Sequence, residues 1–324
     1  MQLSYAQCLE DYHLDLVLGD RVQGFYVDVG GGHPVADNVS FHAYLKGWRG
    51  LVVEPQAELA RLYASIRPRD TVIDHLVGKD EGVVPFHRVD RLHGFSTIVE
   101  SNAKGAQEFG AGYATENMRI RPLAAVLAEH QAPHVDFLKI DVEGAEADVL
   151  HGMDWGRHRP SVLCIEAIAP GSMAEAWHAW EPILHANDYL FAFADGLNRF
   201  YVPKTEEGLI ARFPTSPTPW DRVRHYYELG RPHLLQPEHP DKALTERLVK
   251  GFLATLGLMS EAGILALLEK SAGPGGLEAG EALRQLLVGS AEFPGKDGEG
   301  FDDRVRAAIG RITAQYDGGM INED

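Results

Sequence analysis

The chain has 324 residues, of which 45% are hydrophobic and 24% are charged, a composition typical of soluble globular proteins. Its formal net charge is −17, and acids outnumber lysines and arginines both in residues 1–203 (28 to 16) and in residues 204–324 (19 to 14). Because phosphate backbones are bound by basic surfaces, this charge argues against a nucleic-acid partner and favours a small or neutral substrate.

The cysteines and the N-terminal residues indicate a cytoplasmic protein. Only Cys8 and Cys164 are present, and two distant thiols provide neither a disulfide framework nor a zinc site. The N-terminal residues include acids where a signal peptide has a basic flank and an apolar core. No apolar run approaches the length of a transmembrane helix, so we expect no membrane span.

Seven short runs of apolar residues predict the strands of one sheet. The first six are separated by segments that suit helices or loops, which is typical of parallel βαβ units buried on both faces. The seventh follows the sixth after only a tight turn, so these two are expected to form an antiparallel hairpin. We therefore predict a doubly wound, mostly parallel α/β sheet that ends in a hairpin. The runs are Phe25–Gly30, Gly50–Pro55, Thr71–Gly78, Phe137–Gly144, Ser161–Ala167, Tyr189–Gly196 and Asn198–Val202.

The character of the sequence changes after Val202. Residues Phe213–Trp220 form a linker rich in proline, serine and threonine, and four later segments carry apolar residues at helical spacing. We predict an α/β domain over residues 1–203 and a helical extension over residues 204–324, which serves oligomerisation or covers a site in the first domain. The four segments are Ala243–Met259, Ser260–Gly273, Gly276–Phe293 and Phe301–Tyr316.

Acidic residues recur at the carboxyl ends of the predicted strands. In an open α/β sheet, ligands bind beyond these ends, near the point where the strand order reverses. We therefore expect the acids of five strands to form one site. They are Asp28, Glu54, Asp74, Asp141 and Glu166.

The glycine triplet Gly30–Gly32 follows the first strand and Asp28. Such a triplet is often only a tight turn, but it also lets a ligand approach the backbone closely. The dinucleotide-binding fingerprint is incomplete, because Val35 replaces its third glycine and Pro34 is adjacent. An acid just before the loop suits a cationic ligand better than a pyrophosphate. S-adenosylmethionine, whose sulfonium is positive, is such a ligand.

Several polar residues near the predicted strand ends have two interpretations. Glu54 either accepts hydrogen bonds from two ribose hydroxyls, as in NAD and S-adenosylmethionine sites alike, or caps the following helix. Glu143 either belongs to the site or stabilises the start of a helix, whereas Glu146 is expected on a solvated face. His33 and His93 lie near the predicted cleft, where a lone histidine is more often structural than catalytic.

Seven blocks of the sequence resemble one protein family. The most specific is Val135–Asp154, which contains "DFLKIDVEGAE"; the others are Ser4–Asp11, Gly24–Ser40, Gly47–Pro55, Gly94–Thr97, Arg159–Ala167 and Phe193–Val202. Taken in chain order, they resemble the FkbM family of S-adenosylmethionine-dependent O-methyltransferases over about residues 4–203. The helical extension lies outside the resemblance.

The resemblance implies a seven-stranded Rossmann-like methyltransferase sheet. It also implies that the enzyme transfers a methyl group to a hydroxyl of a sugar, glycan or secondary-metabolite acceptor. Methyl transfer is an in-line displacement in which the hydroxyl also loses its proton. The residues expected to bind S-adenosylmethionine are Gln7, Asp28, Gly30, Gly31, Gly32, Asn38, Glu54, Asp74 and Asp141. The candidate catalytic residues are Asp141, Glu143, Glu166 and His33.

Metal use and two other functions stay open at this point. If catalysis uses Mg²⁺ or Mn²⁺, Asp141 and Glu166 are the expected ligands, because hard cations take oxygen ligands. A nicotinamide-dependent dehydrogenase could use a similar sheet, but the incomplete fingerprint, the acids and the hairpin count against it. A non-catalytic binding module with the methyltransferase fold is the third interpretation, and the intact acids argue against it.

Overall fold

The computed structural model describes residues 2–90, 93–169, 174–216, 218, 222–226, 240–260, 262–264 and 266–267. The chain divides into two compact units, Met1–Tyr226 and Tyr227–Asp324. The described strands are β1 (Gln2–Ser4), β2 (Phe25–Val29), β3 (Arg49–Val53), β4 (Thr71–Ile73), β5 (Leu76–Gly78), β6 (Gly82–Val89), β7 (Tyr113–Pro122), β8 (Phe137–Ile140), β9 (Val162–Glu166), β10 (Tyr189–Ala194), β11 (Asn198–Pro203) and β12 (Val223–His225).

The described α-helices lie mainly between these strands. Short 3₁₀ helices occupy His93–Phe95, Ala106–Phe109, Trp177–Ala179 and Lys204–Arg212. The α-helices are α1 (Glu10–Leu18), α2 (Phe41–Leu45), α3 (Ala57–Ile66), α4 (Glu100–Gly105), α5 (Leu123–Glu129), α6 (Glu146–His151), α7 (Glu181–Ala186) and α8 (Pro240–Leu256).

The main sheet has seven strands in the order β10-β11-β9-β8-β2-β3-β4. The five strands from β9 to β4 pair in parallel, and β11 pairs antiparallel with both β9 and β10. The prediction of a mixed α/β fold with a mostly parallel sheet is confirmed. The carboxyl ends of the parallel strands consequently lie along one edge of the sheet.

Alternating side chains of the central strands face two apolar layers. Val27 and Val29 of β2 pack in the layer formed with α5, α6 and α7, whereas Tyr26 packs in the layer formed with α1, α2 and α3. In the neighbouring strand β8, Leu138 belongs to the first layer and Phe137 to the second. Burial on both faces explains why these strands are apolar at nearly every position.

The predicted strand Thr71–Gly78 is two strands in two different sheets. It breaks at Asp74 and His75, after which β5 leaves the main sheet and joins a second sheet of order β5-β7-β6. Strands β6 and β7 were not predicted, because β7 is mostly polar and β6 contains Pro85, which is unusual inside a strand. Asp74 therefore does not end a long strand, and its side chain is exposed.

The first unit extends past the predicted boundary at Pro203. Strand β12 pairs in parallel with β1, and Phe213 is buried in the layer that contains α1. Long-range contacts of this kind cannot be read from the proline-rich composition of this segment. The described residues between 204 and 226 thus belong to the same compact unit as the main sheet.

In the second unit the structure describes helix α8, which covers most of the first predicted helix of the extension. Residues 262–264 are helical as well, within the second predicted segment. The other two predicted helices lie outside the described residues. Among the helices that the structure describes, none is both long and apolar enough to cross a membrane.

Candidate active site

A cavity of about 540 Å³ opens at the carboxyl ends of β2, β3, β8 and β9. The second sheet contributes to its wall through Phe86 of β6, together with Phe95 in the following 3₁₀ helix. Nine of the residues predicted from the sequence line the cavity: Gln7, Gly30, Gly31, Gly32, His33, Glu54, Asp141, Glu143 and Glu166. Asp28, Asn38 and Asp74 are not among the described residues that line it.

The glycine loop needs glycine at its first position because neighbouring atoms leave no room for a side chain. Gly30 has a φ of +77°, and a Cβ atom there would lie 1.8 Å from the backbone oxygen of Asp141. By contrast, a Cβ atom on Gly32 would have no atom within 4 Å, although its φ of +58° is also left-handed. The loop therefore packs tightly against the backbone that follows β8 at Gly30, whereas Gly32 has open space beside it.

A buried polar network supports the loop from behind. The Nδ2 atom of Asn38 donates to the carbonyl oxygens of Gly31 (2.9 Å) and His33 (3.1 Å), and the Tyr63 hydroxyl also donates to Gly31 (2.7 Å). The fully buried Arg67 in turn donates to Asn38 Oδ1 at 2.9 Å. Asn38 thus lies behind the loop and holds its carbonyl groups. The N–H groups of Gly30 and Gly31 are bonded as well, because both donate to the carbonyl oxygen of Val53.

The charge of Arg67 is neutralised by Asp70, whose Oδ2 lies 2.7 Å from the guanidinium, and both side chains are fully buried. Arg67 also packs against aromatic rings, with its guanidinium carbon 4.9 Å from the Tyr63 ring centre. Sequence analysis missed both residues, since a single arginine and a single aspartate after a helix carry no distinctive pattern.

Asp28 lies beneath the loop and faces two polar partners. Its Oδ2 accepts a hydrogen bond from Ser40, and its Oδ1 lies 3.5 Å from the ammonium of Lys139. The Asp28 side chain is fully buried because residues 26 and 28 of β2 point into the layer that contains α1 to α3. Its charge therefore acts on the loop through Lys139.

Lys139, a buried residue of β8, links the loop to the acids. Its ammonium donates to the carbonyl oxygen of Gly30 and lies 3.3 Å from Asp141 Oδ2. Burial lowers the pKa of Lys139, but the carboxylates of Asp141 and Asp28 raise it more, so the ammonium stays charged. A lysine inside the apolar run Phe137–Ile140 was the available sequence signal for this role.

Glu54 follows β3 and is 2% exposed. Its Oε2 accepts a hydrogen bond from the backbone N–H of Gly32 (2.7 Å), and its Oε1 accepts one from Gln56 (2.8 Å). Burial raises the pKa of Glu54 to about 7, although these hydrogen bonds oppose the rise. The Gln56 side chain also donates to Glu54, which lines the cavity.

Three carboxylates form a cluster on the other side of the cavity. One oxygen from each of Asp141, Glu143 and Glu166 lies within 4.8 Å of the others. Burial raises the pKa of Glu143 to about 9, with further contributions from the negative charges of Asp141 and Glu146. Burial likewise raises the pKa of Glu166 to about 11, together with the charges of its two partners in the cluster.

Glu143 reaches this cluster through an unusual backbone conformation. Its φ is +57°, a left-handed value that costs about 1–2 kcal/mol for a residue with a side chain. Its carbonyl oxygen accepts hydrogen bonds from Thr97 Oγ1 (2.9 Å) and Asn102 Nδ2 (2.8 Å), which hold this conformation. Helix α6 begins only at Glu146, so Glu143 precedes the helix rather than starting it.

The prediction that Glu146 lies on a solvated face is wrong. Its side chain is buried, and its Oε1 accepts hydrogen bonds from the backbone N–H groups of Val142 (3.2 Å) and Gly144 (3.0 Å). Because the turn before α6 has unpaired N–H groups, an acid folds back to satisfy them. Glu146 therefore shapes the turn that carries Glu143.

His33 lines the cavity but also has a structural role. Its Nδ1 accepts hydrogen bonds from the backbone N–H groups of Val35 (3.2 Å) and Ala36 (2.9 Å). In the neutral ring this arrangement places the proton on Nε2, so neither nitrogen is a free proton acceptor. The geometry does not support His33 as a catalytic base. His93 begins a 3₁₀ helix next to cavity-lining residues 94–98.

Comparison with known protein families agrees with this architecture. The family model described as the methyltransferase FkbM domain matches residues 28–191, about half of the chain. The match runs from the glycine loop through the acid cluster and into β10. Comparisons with curated proteins and with solved structures found no match. The chain therefore belongs to the FkbM methyltransferase family.

Proposed function

We propose that this protein transfers the methyl group of S-adenosylmethionine to a hydroxyl oxygen of a sugar, glycan or secondary-metabolite acceptor. The observation that carries the proposal is the composition of the cavity. A glycine loop and a buried glutamate line one side, and a cluster of three carboxylates lines the other. One cavity thus combines a surface suited to a cationic nucleotide donor with groups suited to removing a proton.

The donor side fits S-adenosylmethionine in both shape and charge. Gly32 leaves open space next to the backbone, and the carboxylate of Glu54, which lines the same cavity, would accept hydrogen bonds from the ribose hydroxyls. The cofactor supplies an electrophilic methyl group on a positively charged sulfur. The net negative charge of the cavity wall favours that sulfonium and disfavours the pyrophosphate of a dinucleotide.

The acid side suits an acceptor hydroxyl. As the acceptor oxygen forms a bond to the methyl carbon, the carbon–sulfur bond breaks, its electron pair stays on sulfur and the hydroxyl proton must leave. We assign Asp141 as the group that receives this proton, because its carboxylate lines the cavity and is held 3.3 Å from the ammonium of Lys139. The aromatic rings of Phe86 and Phe95 would contact the carbon skeleton of the acceptor.

The test is a calorimetric titration of the whole chain with S-adenosylhomocysteine and with NADH, followed by transfer of radiolabelled methyl groups to a panel of hydroxyl compounds. We expect only S-adenosylhomocysteine to bind, and Glu54→Ala to weaken it by about 1.5–3 kcal/mol, as for a lost hydrogen bond to a charged group. Glu58→Ala is the matched control, because Glu58 is an exposed glutamate nearby in α3.

The other two functions give different results in the same titrations. Binding of NADH alone would favour the dehydrogenase and overturn the proposal. Binding of S-adenosylhomocysteine without transfer to any hydroxyl compound would favour a non-catalytic binding module.

A further inference from the structure

We propose that Asp141, Glu143 and Glu166 bind one divalent cation of the Mg²⁺ or Mn²⁺ type. The site lies in the cavity assigned above to the donor and acceptor. Its contribution to catalysis therefore rests on the proposed methyl transfer, whereas binding of the cation does not. The cation would take oxygen ligands from the carboxylates and from water.

The spacing of the three carboxylates matches one small cation. Their nearest oxygens lie within 4.8 Å of one another. Oxygens bound to one Mg²⁺ at about 2.1 Å are about 3 Å apart when adjacent and about 4 Å apart when opposite. Only a small movement of these side chains is therefore needed to enclose the ion.

An unpartnered oxygen of Glu166 is the independent sign of a ligand. Glu166 is 9% exposed; its carboxyl group is hydrogen-bonded to Asp141, but its Oε2 is buried without a hydrogen-bond partner among the described residues. A buried polar atom without a partner costs about 1–3 kcal/mol, so such atoms are rare in folded proteins. A bound cation would give this oxygen its partner.

The nearby positive charge cannot balance the three carboxylates when all of them are ionised, as cation binding requires. Lys139 is 3.3 Å from Asp141, but it is shared with Asp28 at 3.5 Å. Within the part of the chain that the structure describes, no ion pair involves the carboxylate of Glu143 or of Glu166. A divalent ion would supply the missing positive charge.

The cation would have a direct chemical use at this position. Because the cluster lines the open cavity, the remaining coordination positions face solvent and acceptor. A hydroxyl bound to the ion loses its proton more readily, and the ion also fixes the position of the oxygen relative to the methyl group. With the ion bound, Asp141 would be a ligand rather than the proton acceptor, and the hydroxyl proton would pass to water. The oxygen–carbon bond would form and the carbon–sulfur bond break as in the transfer proposed above.

Titration with Mn²⁺ alone tests the site, with the free ion followed by electron paramagnetic resonance. The full chain is used without donor or acceptor, and we expect one bound Mn²⁺ per chain that Mg²⁺ displaces. Glu166→Gln and Glu143→Gln should each weaken Mn²⁺ binding at least about tenfold, since each removes a ligand oxygen and its charge. Circular dichroism should show that both variants stay folded.

Asp37→Asn is the matched control for these variants. Asp37 lines the same cavity outside the cluster, and asparagine tolerates its left-handed φ of +51°. We expect it to change Mn²⁺ affinity by less than about twofold, because a separate solvated charge is screened. No bound Mn²⁺ at millimolar concentration, or equal affinity in Glu166→Gln and wild type, would overturn the site.

A parallel titration with S-adenosylhomocysteine separates this inference from the proposed function. Mn²⁺ binding that depends on Glu166 supports the cation site even if S-adenosylhomocysteine fails to bind. If S-adenosylhomocysteine binds but Mn²⁺ does not, the donor assignment stands and the cation site is refuted.

Discussion

Replacement of Glu54 with glutamine should stabilise the donor-free protein in alkaline solution and weaken donor binding. Burial raises the pKa of Glu54 from 4.5 to about 7 in the folded protein. The folded state therefore keeps the Glu54 proton between these two values, where the unfolded chain has lost it. Stability falls as the pH rises through this window and stays constant above it.

The pKa difference sets the expected magnitude. At 1.36 kcal/mol per pKa unit, the raised pKa of Glu54 lowers the free energy of unfolding by about 3 kcal/mol at pH 8 and by about 1 kcal/mol at pH 5. Glutamine stays neutral at both pH values but loses one of the two backbone hydrogen bonds, which costs about 1 kcal/mol. Glu54→Gln should consequently be about 2 kcal/mol more stable than wild type at pH 8 and about equal at pH 5.

Urea unfolding of both proteins at the two pH values measures this change directly. Glu58→Gln is the control, because it makes the same substitution at an exposed glutamate of α3 that does not line the cavity. The same stability difference at both pH values would refute the raised pKa of Glu54. Titration with S-adenosylhomocysteine completes the test, since an unchanged affinity in Glu54→Gln would remove Glu54 from the donor site.

Three further predictions concern the loop, its support and the acids. Gly30→Ala should unfold at a clearly lower temperature than Gly32→Ala, because only the first clashes with backbone; equal melting temperatures would contradict this. Arg67→Met should cost about 3–5 kcal/mol in urea unfolding, since it leaves a buried carboxylate unpaired; a loss below about 1 kcal/mol would refute that role. Asp141→Asn should still bind S-adenosylhomocysteine but lose most methyl transfer; wild-type turnover would exclude Asp141 as proton acceptor.

The sequence alone was sufficient to predict that Glu54, Asp141 and Glu166 line one cavity. Each follows an apolar strand, and parallel strands bring their carboxyl ends to one edge of the sheet. The order of strands and helices along the chain was enough to predict that these distant residues meet, because the connections between strands determine the direction of each strand. The same reasoning placed Asp28 at the site, but side-chain alternation along β2 turns it beneath the loop.

Other features depend on contacts between distant residues, which no local pattern encodes. Asp70 neutralises Arg67, Lys139 joins Asp28 to Asp141, and Thr97 holds the left-handed turn at Glu143. The second sheet, which walls the cavity, arises because β5 leaves the main sheet to pair with the largely polar strand β7. The sequence by itself determined the alternation of strands and helices and the edge at which the site forms. Only the tertiary structure decided which acids face the cavity, since that depends on packing between segments far apart in the chain.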